Sequence, residues 1–247
     1  MVDSLLLSVV RLVTFNSQHS LTNATGFFFE RGHRLFLVTS QHVLFDEPSQ
    51  HFPNRIEIEL HIDPNNVAES TNYSIPLYRN AKSLWRQGID GAGEVDVAMI
   101  EIDRKALPPS ALYRTFTPAH LPQFSDSIEV GSSVLVVGFP MGFHDTLHHM
   151  PVVRHAIIAS SFGLRFQGQG VFLTDARTHR GTSGAPVVMR ASSTRVQNSP
   201  LADLPWMLLG VHSSRLDAAT RDPEMDEALG LNCAAYADIL MTLTEPQ

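Results

Sequence analysis

The chain has one cysteine, Cys233, among 247 residues. No disulfide can close within a single copy, so packing must hold the fold, and a reducing compartment suits it. Basic runs are missing too. Lys and Arg number 18 against 25 Asp and Glu, for a net charge of −7, which disfavours a phosphate-tracking surface and a nucleic-acid partner. Long apolar runs are absent: nothing approaches the roughly 18 uncharged residues of a membrane span. The apolar start "MVDSLLLSVVRLVTF" is short, follows Asp3 and has no basic n-region. Its alternation around Arg11 reads as a first strand rather than a secretion signal. A cytoplasmic protein with no membrane contact is therefore expected, and the sequons at Asn23 and Asn72 would matter only in a secreted chain. Neither a solenoid-length repeat nor a low-complexity tract occurs.

What is present is material for a core. Hydrophobic residues make up 43% and charged residues 17%, a balance that argues against disorder. Short β-branched and aromatic runs recur between Gly, Pro, Asn and Asp, as in 24–30, 33–40, 55–62, 95–103, 128–140, 170–176, 185–190 and 206–214. Residues 55–62 ("RIEIELHI") alternate strictly, the mark of a half-buried antiparallel strand. The Pro-rich segment 107–124 cannot supply ladder donors throughout and reads as a crossing linker. The expected architecture is all-β, with two tandem six-stranded antiparallel barrels and a short C-terminal helix. The expected divisions are a first barrel over 1–106, a linker over 107–127, a second barrel over 128–236, and a helix with its tail over 237–247.

The segment "RGTSGAPVV" (180–188) raises the chemical question. A serine hydroxyl is a weak nucleophile unless a base takes its proton, a third group orients the base and donors meet the developing oxyanion. Ser183 has candidates for each. Gly181 permits a turn in which its own N–H and that of Ser183 converge. His42, in "FLVTSQHVL" (36–44), falls just beyond an apolar strand and can face a cleft. Asp96, in "GEVDVAMIEI" (93–102), enters a hydrophobic run, where a carboxylate is costly unless partnered. Asp90 and Asp103 read as a loop former and a solvated turn.

These strings, in the order His42, Asp96, Ser183, resemble the trypsin-like (chymotrypsin-fold) serine peptidases. "FLVTSQHVL" is similar to their "LTAAHC"-type motif, "DVAMIEI" to "DIALL" and "GTSGAP" to "GDSGGP". The strings "TDARTHRGTSGAPVV" (174–188), "LLGVHSS" (208–214) and "VLVVGFPMGF" (134–143) look most like the bacterial branch, which includes Deg/HtrA-type peptidases and glutamyl endopeptidases. The chain departs from the pattern at Val43, where a Cys is usual, and at Ala185. No PDZ domain is expected within it.

The resemblance implies a serine endopeptidase acting on protein or peptide substrates through an acyl-enzyme. In it His42, Asp96 and Ser183 are catalytic, and the Gly181 and Ser183 amides form the oxyanion hole. It also implies that Arg177, Thr178, His212, Ser213 and Ser214 line the substrate site. Arg177 would sit near the pocket floor, and Ser213 beside the triad carboxylate. His212 and Thr178 occupy positions that point to Glu or Gln before the cleaved bond, with a small or aliphatic residue as the competing preference. An α/β-hydrolase elbow is disfavoured, since G-x-S-x-G fails at Ala185. The other reading of the whole chain is a latent or non-catalytic trypsin-like fold serving as a partner-regulated binding module. A regulatory protein partner fits either reading. No cofactor is expected. In "FHDTLHHM" (143–150), His144, His148 and His149 invite a metal reading, with His at i and i+4. Gly142 and Pro151 make the segment a loop without a supporting Cys cluster, so no metal site is expected there. Residues 221–227 read as a solvated acidic loop.

Overall fold

This computed structural model describes residues 2–123, 126–196, 199–215 and 230–246. Nine strands precede the linker: β1 (Val9–Asn16), β2 (His19–Arg31), β3 (Arg34–Thr39), β4 (Arg55–His61), β5 (Ser70–Pro76), β6 (Tyr78–Arg79), β7 (Lys82–Ser83), β8 (Trp85–Asp90) and β9 (Gly93–Ile102). Among the described residues six follow it: β10 (Ser133–Gly138), β11 (Val152–Ile157), β12 (Val171–Thr174), β13 (Pro186–Arg190), β14 (Trp206–Arg215) and β15 (Asn232–Tyr236). Helices are short: α1 (Gln41–Leu44), α2 (Ser193–Val196) and the C-terminal α3 (Ile239–Leu243). The acidic segment 221–227 lies outside the described residues.

The strands form a seven-stranded sheet, in the order β5-β4-β1-β2-β3-β9-β8, and a six-stranded sheet, in the order β11-β10-β13-β14-β15-β12, with a β6-β7 ribbon beside them. Neighbours in both large sheets pair antiparallel. The arrangement is a chymotrypsin-like fold. The alternation read in 55–62 appears as β4, where Ile56, Ile58 and Leu60 are buried and Arg55, Glu57 and Glu59 are half-exposed. The linker builds no long strand, yet it is fastened. Phe116 receives a hydrogen bond from the Glu30 amide at 2.7 Å and donates to the Phe28 carbonyl at 2.9 Å.

Period-two alternation in β2 explains how the two sheets come together. Phe28 faces the interior of the first sheet with Leu12, Leu37, Ile56 and Ile58. Its neighbours Phe27 and Phe29 point the other way, into a cluster shared with Val137, Val188, Leu208, Val211 and Leu240 of the second half. A strand apolar on both faces thus serves two cores at once. A third cluster, with Val136, Phe172, Val187 and Leu209, fills the second sheet. The shared cluster fixes the seam, and the candidate site sits at one end of that seam.

Candidate active site

Each half supplies part of the site. β3 ends at Thr39, and one turn of helix, α1, presents His42. β9 carries Asp96. The turn before β13 carries Ser183, and β14 carries Ser213. His42 Nδ1 lies 2.8 Å from Asp96 Oδ2, and His42 Nε2 lies 2.9 Å from Ser183 Oγ. A carboxylate can only accept, so Nδ1 bears the proton and Nε2 turns its lone pair toward the Ser183 hydroxyl. The His42 backbone amide donates to Asp96 Oδ1 at 3.0 Å, and the Ser213 hydroxyl donates to Asp96 Oδ2. Asp96 is thereby satisfied by three donors.

Those donors set its charge. Burial by itself would push the Asp96 carboxyl up. The His42 ring and its charge, the Ser213 hydroxyl and the His42 amide outweigh burial and hold it below the usual carboxylate range. Burial also pulls the His42 imidazolium down, and the bond to Asp96 with its charge more than restores it, so His42 ends above its ordinary value.

The nucleophile turn is bolted to both halves. The Thr25 amide of β2 donates to the Ser183 carbonyl at 3.0 Å, and the Gly184 amide donates to the His212 carbonyl at 2.8 Å. Thr25 Oγ1 donates to the Gly181 carbonyl at 2.7 Å and accepts from the Phe139 amide at 3.1 Å. Two glycines are required here. Gly181 has φ +90°, and a Cβ on it would stand 2.5 Å from the Phe139 carbonyl oxygen. Gly184 has φ +84°, and a Cβ there would stand 2.8 Å from Thr39 Cα. Both conformations lie where L side chains are rarely found. The Met141 amide donates to the Arg180 carbonyl. In a trans peptide, C=O and N–H point in opposite directions, so this bond turns the Gly181 N–H the other way. Among the described residues, neither the Gly181 nor the Ser183 amide donates to a protein group.

Beside His42 and Ser183 opens a cleft of about 460 Å³, bounded by Leu21–Ala24 on one side, by Ser49–His51 on another, and by Arg180 and Gly181. The residues expected to read substrate are spread around the turn. His212 is buried on β14, and its Nδ1 has no partner among the described residues. Burial pushes its pKa down to about 4, so the ring is neutral near pH 7. Thr178 is buried and donates its hydroxyl proton to Asn232 Oδ1 at 2.6 Å, and Asn232 Nδ2 donates to the Ala176 carbonyl at 2.5 Å. Arg177, expected near a pocket floor, is exposed between the buried Ala176 and Thr178. Ser213 reaches Asp96, and Ser214 follows it on β14.

Several residues of this site carry little or no sequence signal. Thr25 and Thr39 are ordinary strand threonines in the chain, yet Thr39 Oγ1 donates to the Thr25 carbonyl at 2.8 Å beneath the nucleophile turn. Ser40 donates to the His212 carbonyl at 3.0 Å. A polar residue amid the apolar strand "ATGFFFE" was the one hint available for Thr25.

Fold and geometry together define the class: a two-sheet chymotrypsin-like protein with an imidazole, a carboxylate and a hydroxyl hydrogen-bonded in series at the seam. The family model "Trypsin-like peptidase domain" matches residues 24–194, and the chain belongs to that family. Among solved structures it is similar to the crystal structure of the serine endoprotease from Yersinia pestis, at 17% identity and a TM-score of 0.53. The match covers 96% of this chain and 61% of that one. A search of curated proteins returns no match. Among the described residues, no helix is long and apolar enough to cross a membrane.

Proposed function

We propose that the chain is a serine endopeptidase. The observation that carries this reading is the unbroken series Asp96–His42–Ser183, with contacts of 2.8 Å and 2.9 Å. In the proposed mechanism His42 Nε2 takes the Ser183 proton as Oγ attacks a peptide carbonyl. His42 then returns that proton to the departing amine, and a water repeats the sequence to free the acyl group. Asp96 keeps the imidazole in the reactive tautomer and stabilises the imidazolium. The Gly181 and Ser183 amides receive the oxyanion, a role supported by their lack of protein partners and by the Arg180 carbonyl being held away. The same observation weighs against a latent binding module, whose oxyanion turn would have to rearrange first. The cleft beside His42 suits the leaving side of the substrate, since the amine departs toward that ring.

For the residue before the cleaved bond, we propose Gln ahead of Glu. His212, held neutral by burial, can offer one N–H to a carbonyl oxygen, while a carboxylate would bring a buried charge that the neutral ring does not compensate. Thr178 has spent its proton on Asn232, which leaves its oxygen to accept from an amide NH₂. Digestion of a diverse peptide library, with cleavage sites read by mass spectrometry, tests both parts. Cleavage after Gln that is lost in Ser183→Ala supports the reading. An intact library beside folded protein overturns the peptidase reading. Cleavage dominated by Glu or aliphatic residues overturns the Gln preference.

A further inference from the structure

We propose that Glu59, His144 and His149 form a site for a divalent transition cation, zinc by its ligand set. One ligand atom from each residue lies within 4.8 Å of the other two, and all three side chains are half-buried. Bonds of about 2.0–2.2 Å place the ligands of a tetrahedral zinc roughly 3.3–3.5 Å apart. Closing the site therefore takes side-chain adjustments of about an ångström, with the fourth position left to water. Two imidazoles and a carboxylate suit Zn²⁺ and Co²⁺ and do not suit the all-oxygen preferences of Ca²⁺ or Mg²⁺.

The surroundings prepare these ligands. His144 Nδ1 stands 2.6 Å from the Gly142 carbonyl, and a carbonyl can only accept. The proton is therefore on Nδ1, and the bare Nε2 lone pair is the ligating atom. Glu59 is positioned by β4, where its Oε1 accepts from Ser70 Oγ at 2.9 Å. Arg11 Nη2 lies 3.4 Å from its Oε2 and offsets part of its charge, which sets the affinity below that of an unpaired carboxylate. His149 Nδ1 lies 2.8 Å from Glu59 Oε1. A cation takes the place of the proton shared there, and that proton leaves to solvent or moves to the other ring nitrogen.

The loop that carries both histidines is held against the first sheet. Its neck closes through the Asp145 amide on the Met150 carbonyl at 3.0 Å. His61 of β4 donates from Nε2 to the His148 carbonyl at 2.8 Å. His149 itself has φ +55°, a conformation that non-glycine residues adopt sparingly. The i and i+4 spacing of His144 and His148 is not what the fold uses. His148 turns to Asp145 at 2.7 Å, and His149 joins His144 instead. Glu59 is remote in sequence, which is why the segment alone gave no metal site. The same loop carries Met141, whose amide turns the Arg180 carbonyl, so a bound cation ties β4 to the segment bracing Gly181. That link to catalysis rests on the peptidase reading; the binding does not.

Titration of chelator-stripped full-length chain with Co²⁺ tests the site, read by visible absorption and by metal content after desalting. The expected result is one Co²⁺ per chain with the strong visible bands of a low-coordinate site, bleached by Zn²⁺. His144→Ala and His149→Ala should each weaken binding at least about tenfold, and Glu59→Gln should weaken it as well. His148→Ala and Ser183→Ala should bind as wild type, so loss of peptidase activity and loss of the metal site register separately. No stoichiometric uptake by folded wild type, uptake that survives in the His144→Ala/His149→Ala double variant, or equal weakening in His148→Ala overturns the assignment.

Discussion

Thr25→Val is the substitution that asks most of this account, because it changes one atom and should disturb the oxyanion turn from behind. Thr25 is fully buried. Its hydroxyl joins two loops, donating to the Gly181 carbonyl at 2.7 Å and accepting from the Phe139 amide at 3.1 Å. Valine keeps the shape and removes both bonds, leaving a carbonyl and an N–H stranded in the interior. Each stranded group costs about 1–3 kcal/mol, so the pair predicts a loss of roughly 2–6 kcal/mol. That is a large share of the ~5–15 kcal/mol that holds a typical domain. Thr25→Ser keeps the hydroxyl and gives up one methyl, at a cost of about 1 kcal/mol. Urea unfolding should show the Val midpoint well below the Ser midpoint at equal slope. The freed Gly181 carbonyl also loosens the amide proposed to meet the oxyanion. The rate of fluorophosphonate labelling should therefore fall at least about tenfold, or ~1.4 kcal/mol of transition-state stabilisation, in Val and not in Ser. A Val variant within about 0.5 kcal/mol of wild type, labelling at full rate, would refute the reasoning.

Other outcomes follow from the same geometry. Gly181→Ala should cut kcat by about 10²–10³, since its Cβ forces the backbone off the Phe139 carbonyl and displaces a proposed oxyanion donor; unchanged kcat on a cleaved peptide would contradict that. Because the base must be neutral and His42 is raised above 6.5, the acidic limb of kcat/KM against pH should have its midpoint above 6.5; a midpoint below it would contradict the Asp96 contribution. His120 and His212 are buried with pKa values pushed down to about 4 from 6.5. Between those values the unfolded chain binds protons that the folded chain refuses, so stability falls as pH drops from about 6.5 toward about 4, by ~1.4 kcal/mol per pH unit for each ring. Urea midpoints measured across that window should flatten in His120→Gln; an equal slope in the variant would count against this assignment.

The parts of the fold that the chain announces are the local ones. Alternation in "RIEIELHI" became β4 with Ile56, Ile58 and Leu60 buried, and the Pro-rich 107–124 meets strands through isolated bridges, Leu112 to His61 and Phe116 to Phe29. His42 stood out just beyond an apolar strand, Asp96 at the entry to one, and Ser183 in a Gly-flanked turn before one, and the three strings together resemble those of the trypsin-like peptidases. What stayed hidden depends on distance in the chain. Thr25 matters only because the fold lays β2 under the Gly181 turn, and Glu59 matters to His144 only because β4 passes behind their loop. The exposure of Arg177 was equally illegible, since a one-residue change of backbone phase decides which of 176–178 faces inward. Pairwise chemistry across the seam leaves no periodic trace in either partner.

The most direct test of the central claim is the reaction of the purified chain with a fluorophosphonate, followed by peptide mapping of the modified residue. The account predicts one adduct per chain on Ser183, abolished in Ser183→Ala and in His42→Ala. Folded wild-type protein that stays unmodified, or an adduct that persists undiminished in His42→Ala, would contradict it.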